Sequence, residues 1–252
     1  MNDFYVPLFI SGGFIRAAAL IRALGGNGYT VMLGTLGRLV VLATVSAAVA
    51  LCILFVDRPL ALWLDARSYG TTAFAIGAFV LRPLDSLLIA GAVLLVLAVV
   101  WRRRYGAPEW LNRLVVGGTG AAVALLGVLV LKVAIGRSQV YPPFLQDHIY
   151  GFRPFAGSKN FMAFPSATMA VIGAFGVGVG VHRRSQRAAA AVILITLAVA
   201  LVVTGSHWLS DIIGGTYFGV VTGDAVARRL RRLEGLQPNK SLDASGGSVF
   251  RN

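Results

Sequence analysis

His207 and Asp211 stand four residues apart, which puts both on one face of a helix. A carboxylate beside an imidazole selects its tautomer and raises its basicity. A histidine held in that way can attack phosphorus and carry it as a phosphohistidine, with the aspartate as its orienter. The same pair can also do no more than satisfy two polar groups at a helix start. Two other polar islands interrupt the apolar chain: Lys132 through Arg137, and Phe164-Pro165-Ser166. Lys132 and Arg137 would suit a phosphate dianion, although long basic side chains also snorkel to a headgroup layer. Pro165 and Ser166 are helix-start residues, with Ser166 as the N-cap. The first-turn backbone of Ser166 and Ala167 could cradle phosphate oxygens, or it could be an ordinary capped start. Polar groups at the ends of apolar segments are costly, so a convergent set of Lys, Arg, Ser, His and Asp suggests a site for a phosphorylated lipid headgroup.

The elements that must position these residues are long apolar runs. Of the 252 residues 57% are hydrophobic and 13% charged, a composition that predicts an integral membrane protein. The reading is an all-α bundle of six transmembrane helices with extra amphipathic surface helices. The spans are expected at Leu39–Val56, Ser86–Trp101, Val115–Ile135, Ser166–His182, Ala188–Thr204 and Trp208–Ala227, near the roughly 20 residues a crossing needs. Asp57-Arg58-Pro59 should end the first span, with a short surface helix from Leu60 to Arg67. Residues 70 to 82 should pack on the bundle without crossing. Residues 1–36 read as an N-terminal interfacial segment with a surface helix over Phe4–Leu24, 37–228 as the membrane domain, and 229–252 as a disordered basic tail.

Charge sets an orientation. The net charge is +13, and Arg102-Arg103-Arg104, Arg183-Arg184-Arg187 and Arg228-Arg229-Arg231-Arg232 each follow an apolar run. This positive-inside pattern favours a bilayer partner over nucleic acid. Counting six crossings predicts a multi-pass protein of a bacterial-type inner or plasma membrane. Both termini would be cytoplasmic, with Lys132, Ser166 and His207 outside the cytoplasm. Met1-Asn2-Asp3 lacks a basic n-region, so no cleaved signal is expected. The lone Cys52 allows no intrachain disulfide and no cysteine metal cluster. No metal and no cofactor are implied.

The order Lys132, then Pro165-Ser166, then His207-x3-Asp211 resembles the type-2 phosphatidic acid phosphatases, the membrane lipid-phosphate phosphatases related to vanadium haloperoxidases. Their signature is Lys-x6-Arg-Pro, Pro-Ser-Gly-His and Ser-Arg-x5-His-x3-Asp. The resemblance runs from about Val115 to Arg229. It includes Gly136-Arg137, Gly151-Phe152-Arg153-Pro154-Phe155 and His207-Trp208-Leu209-Ser210-Asp211. It implies a six-span bundle with an extracytoplasmic site, His207 as nucleophile and a cradle of Lys132, Arg137, Ser166 and Ala167, with Arg153 as a loop cation. It also marks departures. Gln139 and Val140 stand at the Arg-Pro positions, Ala167 and Thr168 at Gly-His, and Ala200 and Leu201 at Ser-Arg. In the family the two arginines bind the phosphate and the second-motif histidine protonates the leaving alkoxide. Thr168 cannot act as an acid near neutral pH, and Leu201 offers no donor. A positioned general acid is worth about 10²–10⁴ in rate. Two readings follow. One is a headgroup-binding protein or partner subunit, alone or as a homo-oligomer, whose catalysis is impaired or lost. The other is an active lipid phosphate or pyrophosphate phosphohydrolase.

Overall fold

The computed structural model describes residues 27–106, 108–180 and 184–235. The Phe4–Leu24 surface helix and the tail beyond Gly235 lie outside them. The chain forms two compact units, residues 1–48 and 49–252. The described part of the first, residues 27–48, is helical and belongs to helix α1, Asn27–Leu51.

In the second unit a five-residue π turn, Cys52–Val56, continues directly into α2, Asp57–Ser68. Pro59 sits in the first turn of α2, where a missing N–H costs little, so it does not stop the helix. Helix α3 (Thr72–Leu81) is capped by Thr71, whose hydroxyl accepts from Phe74 N at 3.5 Å. Helix α4 spans Leu84–Tyr105 and ends on three arginines, the charge that suits a helix C-terminus. Helix α5 spans Glu109–Ile135, α6 Ala167–Gly178, α7 Arg184–Val203 and α8 Leu209–Gly235. Every helix is rich in Leu, Val, Ala or Ile, and no strand is present among the described residues.

Helix α6 packs chiefly against α8 and α5, and α5 against α8. Small residues make that core possible. A Cβ on Gly215, Gly219 or Gly223 would stand 2.4, 2.1 or 2.5 Å from the carbonyl oxygens of Ser166, Ala170 and Ala174. Glycines four apart on α8 therefore let the α6 backbone touch the α8 backbone, the device by which apolar helices associate without a hydrophobic driving force. Ala124, Val128, Ala170 and Ala174 form the core between α5 and α6, and Phe218 of α8 packs on it.

The expectation of six spans does not hold. Among the described residues, three helical stretches are long and apolar enough to cross a bilayer: Leu36–Ser68, Thr72–Tyr105 and Glu109–Ile135. The first absorbs the predicted surface helix after Pro59. The second absorbs residues 70 to 82, which were expected to stay beside the bundle. The other three predicted spans fail for a physical reason. Helix α6 has 12 residues, about 18 Å at 1.5 Å each, against a hydrocarbon core of about 30 Å. The apolar part of α7, Ala188–Val203, is also short. Helix α8 is long, but its predicted span carries Asp211 and Asp224 and is interrupted by four glycines, Gly214, Gly215, Gly219 and Gly223. The six-pass localisation, with both termini cytoplasmic and the site outside, rested on counting six crossings and falls with it.

Candidate functional site

The site begins where α5 ends. Gly136 adopts φ +60 and caps the helix, its N–H donating to Lys132 O at 2.9 Å. A Cβ at this position would lie 1.8 Å from Arg153 O, so glycine is needed both for the left-handed turn and for the close pass of the loop. Arg153 N donates to Gly136 O at 2.6 Å, Ser138 N to Gly151 O at 2.9 Å and Ala163 N to Arg137 O at 3.1 Å. The 136–163 stretch thus folds back on itself, and the Lys132–Arg137 island is enclosed.

Lys132 is buried. Its Nζ donates to Met162 O at 2.5 Å and Ala163 O at 3.1 Å, and the Asp211 charge acts on it as well. Arg137 is fully buried and held on both arms. Nη1 donates to Asp211 Oδ1 and to Ser210 Oγ, at 2.6 and 2.5 Å, and Nη2 donates to Asp57 Oδ2 at 2.6 Å. Burial alone would disfavour the Arg137 charge. Asp211 and then Asp57 reverse that and hold the guanidinium above its ordinary pKa. Its plane also faces the Trp208 ring, 5.2 Å from the centroid.

Asp57 is the residue that motif reasoning missed. It accepts from Arg137 on Oδ2, from Ser210 N at 3.2 Å on Oδ1 and from Ser210 Oγ at 2.5 Å on Oδ2. Its partners are 80 and 153 positions away in the sequence. Its sole sign in the sequence was a carboxylate closing an apolar run, which reads equally well as a helix stop. The π turn ahead of it adds a residue to one helical turn, a feature often found at functional positions.

Asp211 carries three contacts. Besides Arg137, its Oδ2 accepts from Trp208 N at 3.1 Å and faces His207 Nδ1 at 3.3 Å. It is the third residue of α8 and reaches back to the residue before the helix, so it caps the N-terminus as well as orienting the imidazole. Its carbonyl accepts from Ser166 N at 3.0 Å, and this joins the second island to the third. Ser166 precedes α6 but makes no side-chain cap. Its Oγ, like Arg137 Nε, is buried without a partner among the described residues, so each keeps a donor hydrogen. Ala167 packs on the core between α5 and α6.

The remaining positions go elsewhere. Arg153 is exposed, its guanidinium 4.9 Å from the Phe161 ring centroid. Among the described residues no hydrogen bond or ion pair joins Arg153, Lys159 or His148 to His207 or Asp211. Leu201, at the position of a family arginine, is buried with Met169, Leu197 and Ile212. Val140, at a family proline, packs with Phe144, Ala163 and Trp208. Gln139 is half-buried and donates its backbone N–H to Asn160 O at 2.9 Å. Thr168 is half-buried near the start of α6.

His207, its side chain 15% exposed, lines a cavity of about 150 Å³. The cavity lies between α2, the end of α7 and the 140–145 stretch, with Asp57 in its wall. Lys132, Arg137 and Ser166 do not line it. The lysine, serine and imidazole–carboxylate groups are therefore brought to one end of the bundle, but only the imidazole looks into this space. Among the described residues no three His, Cys, Asp or Glu side chains group to hold a metal ion.

The segment that carries Lys132, Pro165-Ser166 and His207-x3-Asp211 is similar to the PAP2 superfamily. The PAP2 superfamily model matches residues 113–233, a little under half of the chain. The chain is 35% identical over 91 residues to a lipid A 1-phosphatase of Rhizobium johnstonii, covering 36% of each chain. It is likewise 35% identical over 91 residues to a lipid A 1-phosphatase of Rhizobium etli, covering 36% of this chain and 38% of that one. The chain thus matches little more than a third of these relatives' length. No solved structure matches it significantly. Asp57 lies outside the family segment.

Proposed function

We propose that this membrane protein of the PAP2 superfamily binds a phosphorylated lipid beside His207, with hydrolysis impaired or lost, as a binding protein or partner subunit. The observation that carries the reading is Arg137, whose two arms are bonded to the carboxylates of Asp57 and Asp211. Its charge is spent inside the protein. Lys132 and Arg137 stand against Asp57 and Asp211, so these four groups sum to zero, where a phosphate dianion calls for an excess of positive charge. Leu201, amid Met169 and Ile212, offers a headgroup no donor. Each charge-assisted hydrogen bond missing in this way forgoes about 1.5–3 kcal/mol. Donors that remain are the Ser166 hydroxyl, the Arg137 Nε–H and the third Lys132 hydrogen, none of them in the wall of the His207 cavity.

One observation favours a second reading, an active phosphohydrolase. His207 is still oriented by Asp211 and still faces a cavity, which is what a phosphohistidine intermediate requires. The test uses the full chain purified into nanodiscs. Its panel is phosphatidate, phosphatidylglycerol phosphate, polyprenyl pyrophosphate and a 1-phosphorylated lipid A, the last chosen from the relatives. Saturable retention of at least one of these, with phosphate release at background, is the expected result. Release that His207→Ala abolishes would replace the reading with the second one. Retention of none would overturn both.

A further inference from the structure

The cavity beside His207 has the wrong sign for a purely anionic headgroup. In a chain of net charge +13, the charged side chains in its wall are Asp57 and Asp65, with no Lys or Arg among the lining residues. Asp57 is already matched by Arg137. Asp65 is exposed and has no ion-pair or hydrogen-bond partner among the described residues. Both carboxylates project from one face of α2, eight residues apart, so Asp65 stands about two turns along the helix from Asp57. The same cavity wall carries aromatic rings. Tyr69 and Phe74 pair at 5.3 Å between ring centroids, tilted by 60°, and Tyr141 joins them from the opposite stretch. Most of the rest is apolar, including Leu64, Leu145 and Val203, with Thr204 and His207 as further polar lining. A carboxylate beside several ring faces, backed by an alkyl-lined space, is the arrangement that takes an ammonium carried on a short hydrocarbon.

We infer that this cavity is a binding site for an amine-bearing amphiphile, with Asp65 as charge partner and Tyr69, Phe74 and Tyr141 as its aromatic wall. Resting on the reading of His207 as facing a lipid headgroup, the inference adds that a headgroup with an ammonium next to its phosphate binds more tightly than one without. The phosphate lies toward His207 and the ammonium toward Asp65, so neither charge meets its like unopposed. A headgroup without the amine would leave its phosphate facing the unpaired Asp65 carboxylate, with no lining cation in compensation.

The test uses the full chain in nanodiscs, with empty nanodiscs as control and saturation-transfer NMR as readout. The probes are hexylammonium, hexanol and hexanoate. Hexylammonium is expected to bind saturably, about tenfold more tightly than hexanol, with hexanoate weakest; an ion contact and stacked rings together are worth about that factor. Asp65→Asn should bring hexylammonium down to the level of hexanol, and Phe74→Leu should weaken it severalfold while leaving hexanol bound. Asp65 is exposed and unpaired, so its replacement leaves the fold intact. Equal binding of hexanol, tighter binding of hexanoate, or an Asp65→Asn variant indistinguishable from the parent would overturn the inference. Retention of phosphatidate alongside failed hexylammonium binding sinks the amine site alone. Hexylammonium binding alongside failure of every phosphorylated lipid sinks the phosphate reading and leaves the amine site standing.

Discussion

Asp211 is shared among Arg137, Trp208 N and His207, and the first two contacts survive if the imidazole is removed. His207→Ala should therefore change unfolding stability by no more than about 1 kcal/mol, since one 3.3 Å contact of a partly exposed ring is lost. Asp211→Ala leaves Arg137 with one carboxylate and uncaps α8, and should cost roughly 3–5 kcal/mol. Chemical denaturation of the two variants in one detergent checks the contrast; equal losses would show that His207 is part of the structural network. Asp57→Ala should cost as much as Asp211→Ala by the same logic. Asp57→Asn should cost less, because its amide oxygen still accepts from Ser210 N, although the charge and the second acceptor, the one facing Arg137, are lost. A ranking with Asn at or below Ala would mean that Asp57 is held by packing and not by its partners. Motif order and spacing made Lys132, Arg137, Ser166, His207 and Asp211 legible as one neighbourhood. The sequence did not show how they divide the charge. That depends on Asp57, which reaches Arg137 and Ser210 only through the tertiary fold.

Helices α6 and α8 meet along backbone, so their glycines are not interchangeable. A Cβ at Gly219 would fall 2.1 Å from Ala170 O, an atom that cannot yield without moving α6. Gly219→Ala should destabilise by about 1–3 kcal/mol or more through overpacking. Gly176 on α6 has nothing within 4 Å of its would-be Cβ, and Gly176→Ala should stabilise by up to about 1 kcal/mol through helix propensity. Thermal unfolding of the two single variants reads both signs, and a Gly219→Ala variant as stable as the parent would disprove the backbone contact. Existence and type of these elements were legible, because apolar runs bounded by Pro-Ser or Gly-Arg carry their own helix signals. Their lengths were less so. Pro59 looked like a stop but falls in a first turn, where proline is tolerated. Residues 70 to 82 read as a moderately apolar segment packed beside the bundle, whereas with α4 they make one long stretch.

At the scale of the whole chain, composition identifies the solvent, and helix length decides how many elements face it. The count of apolar runs overstated the crossings. Hydropathy along a sequence does not distinguish a span from a short helix buried by its neighbours, and α6 is such a helix, its Met169, Ala170, Gly173 and Ala174 covered by other helices. Helix α5 is different. At 27 residues it is about 40 Å long, more than the hydrocarbon thickness of about 30 Å, and several of its large apolar side chains, Leu126 and Val130 among them, are exposed. If α5 crosses, its two ends face opposite compartments. Cysteines placed at Glu109 and at Gln146, both exposed, on a Cys52→Ser background report this directly. The Glu109–Arg113 pair lost in the first variant is a surface ion pair worth under about 1 kcal/mol, so the fold tolerates the change. In sealed membrane vesicles a membrane-impermeant maleimide should label one position from outside and the other only after the vesicles are opened. Labelling of both from the same side would show that α5 lies along the membrane, and with it that the His207 end and the Glu109 end share a compartment.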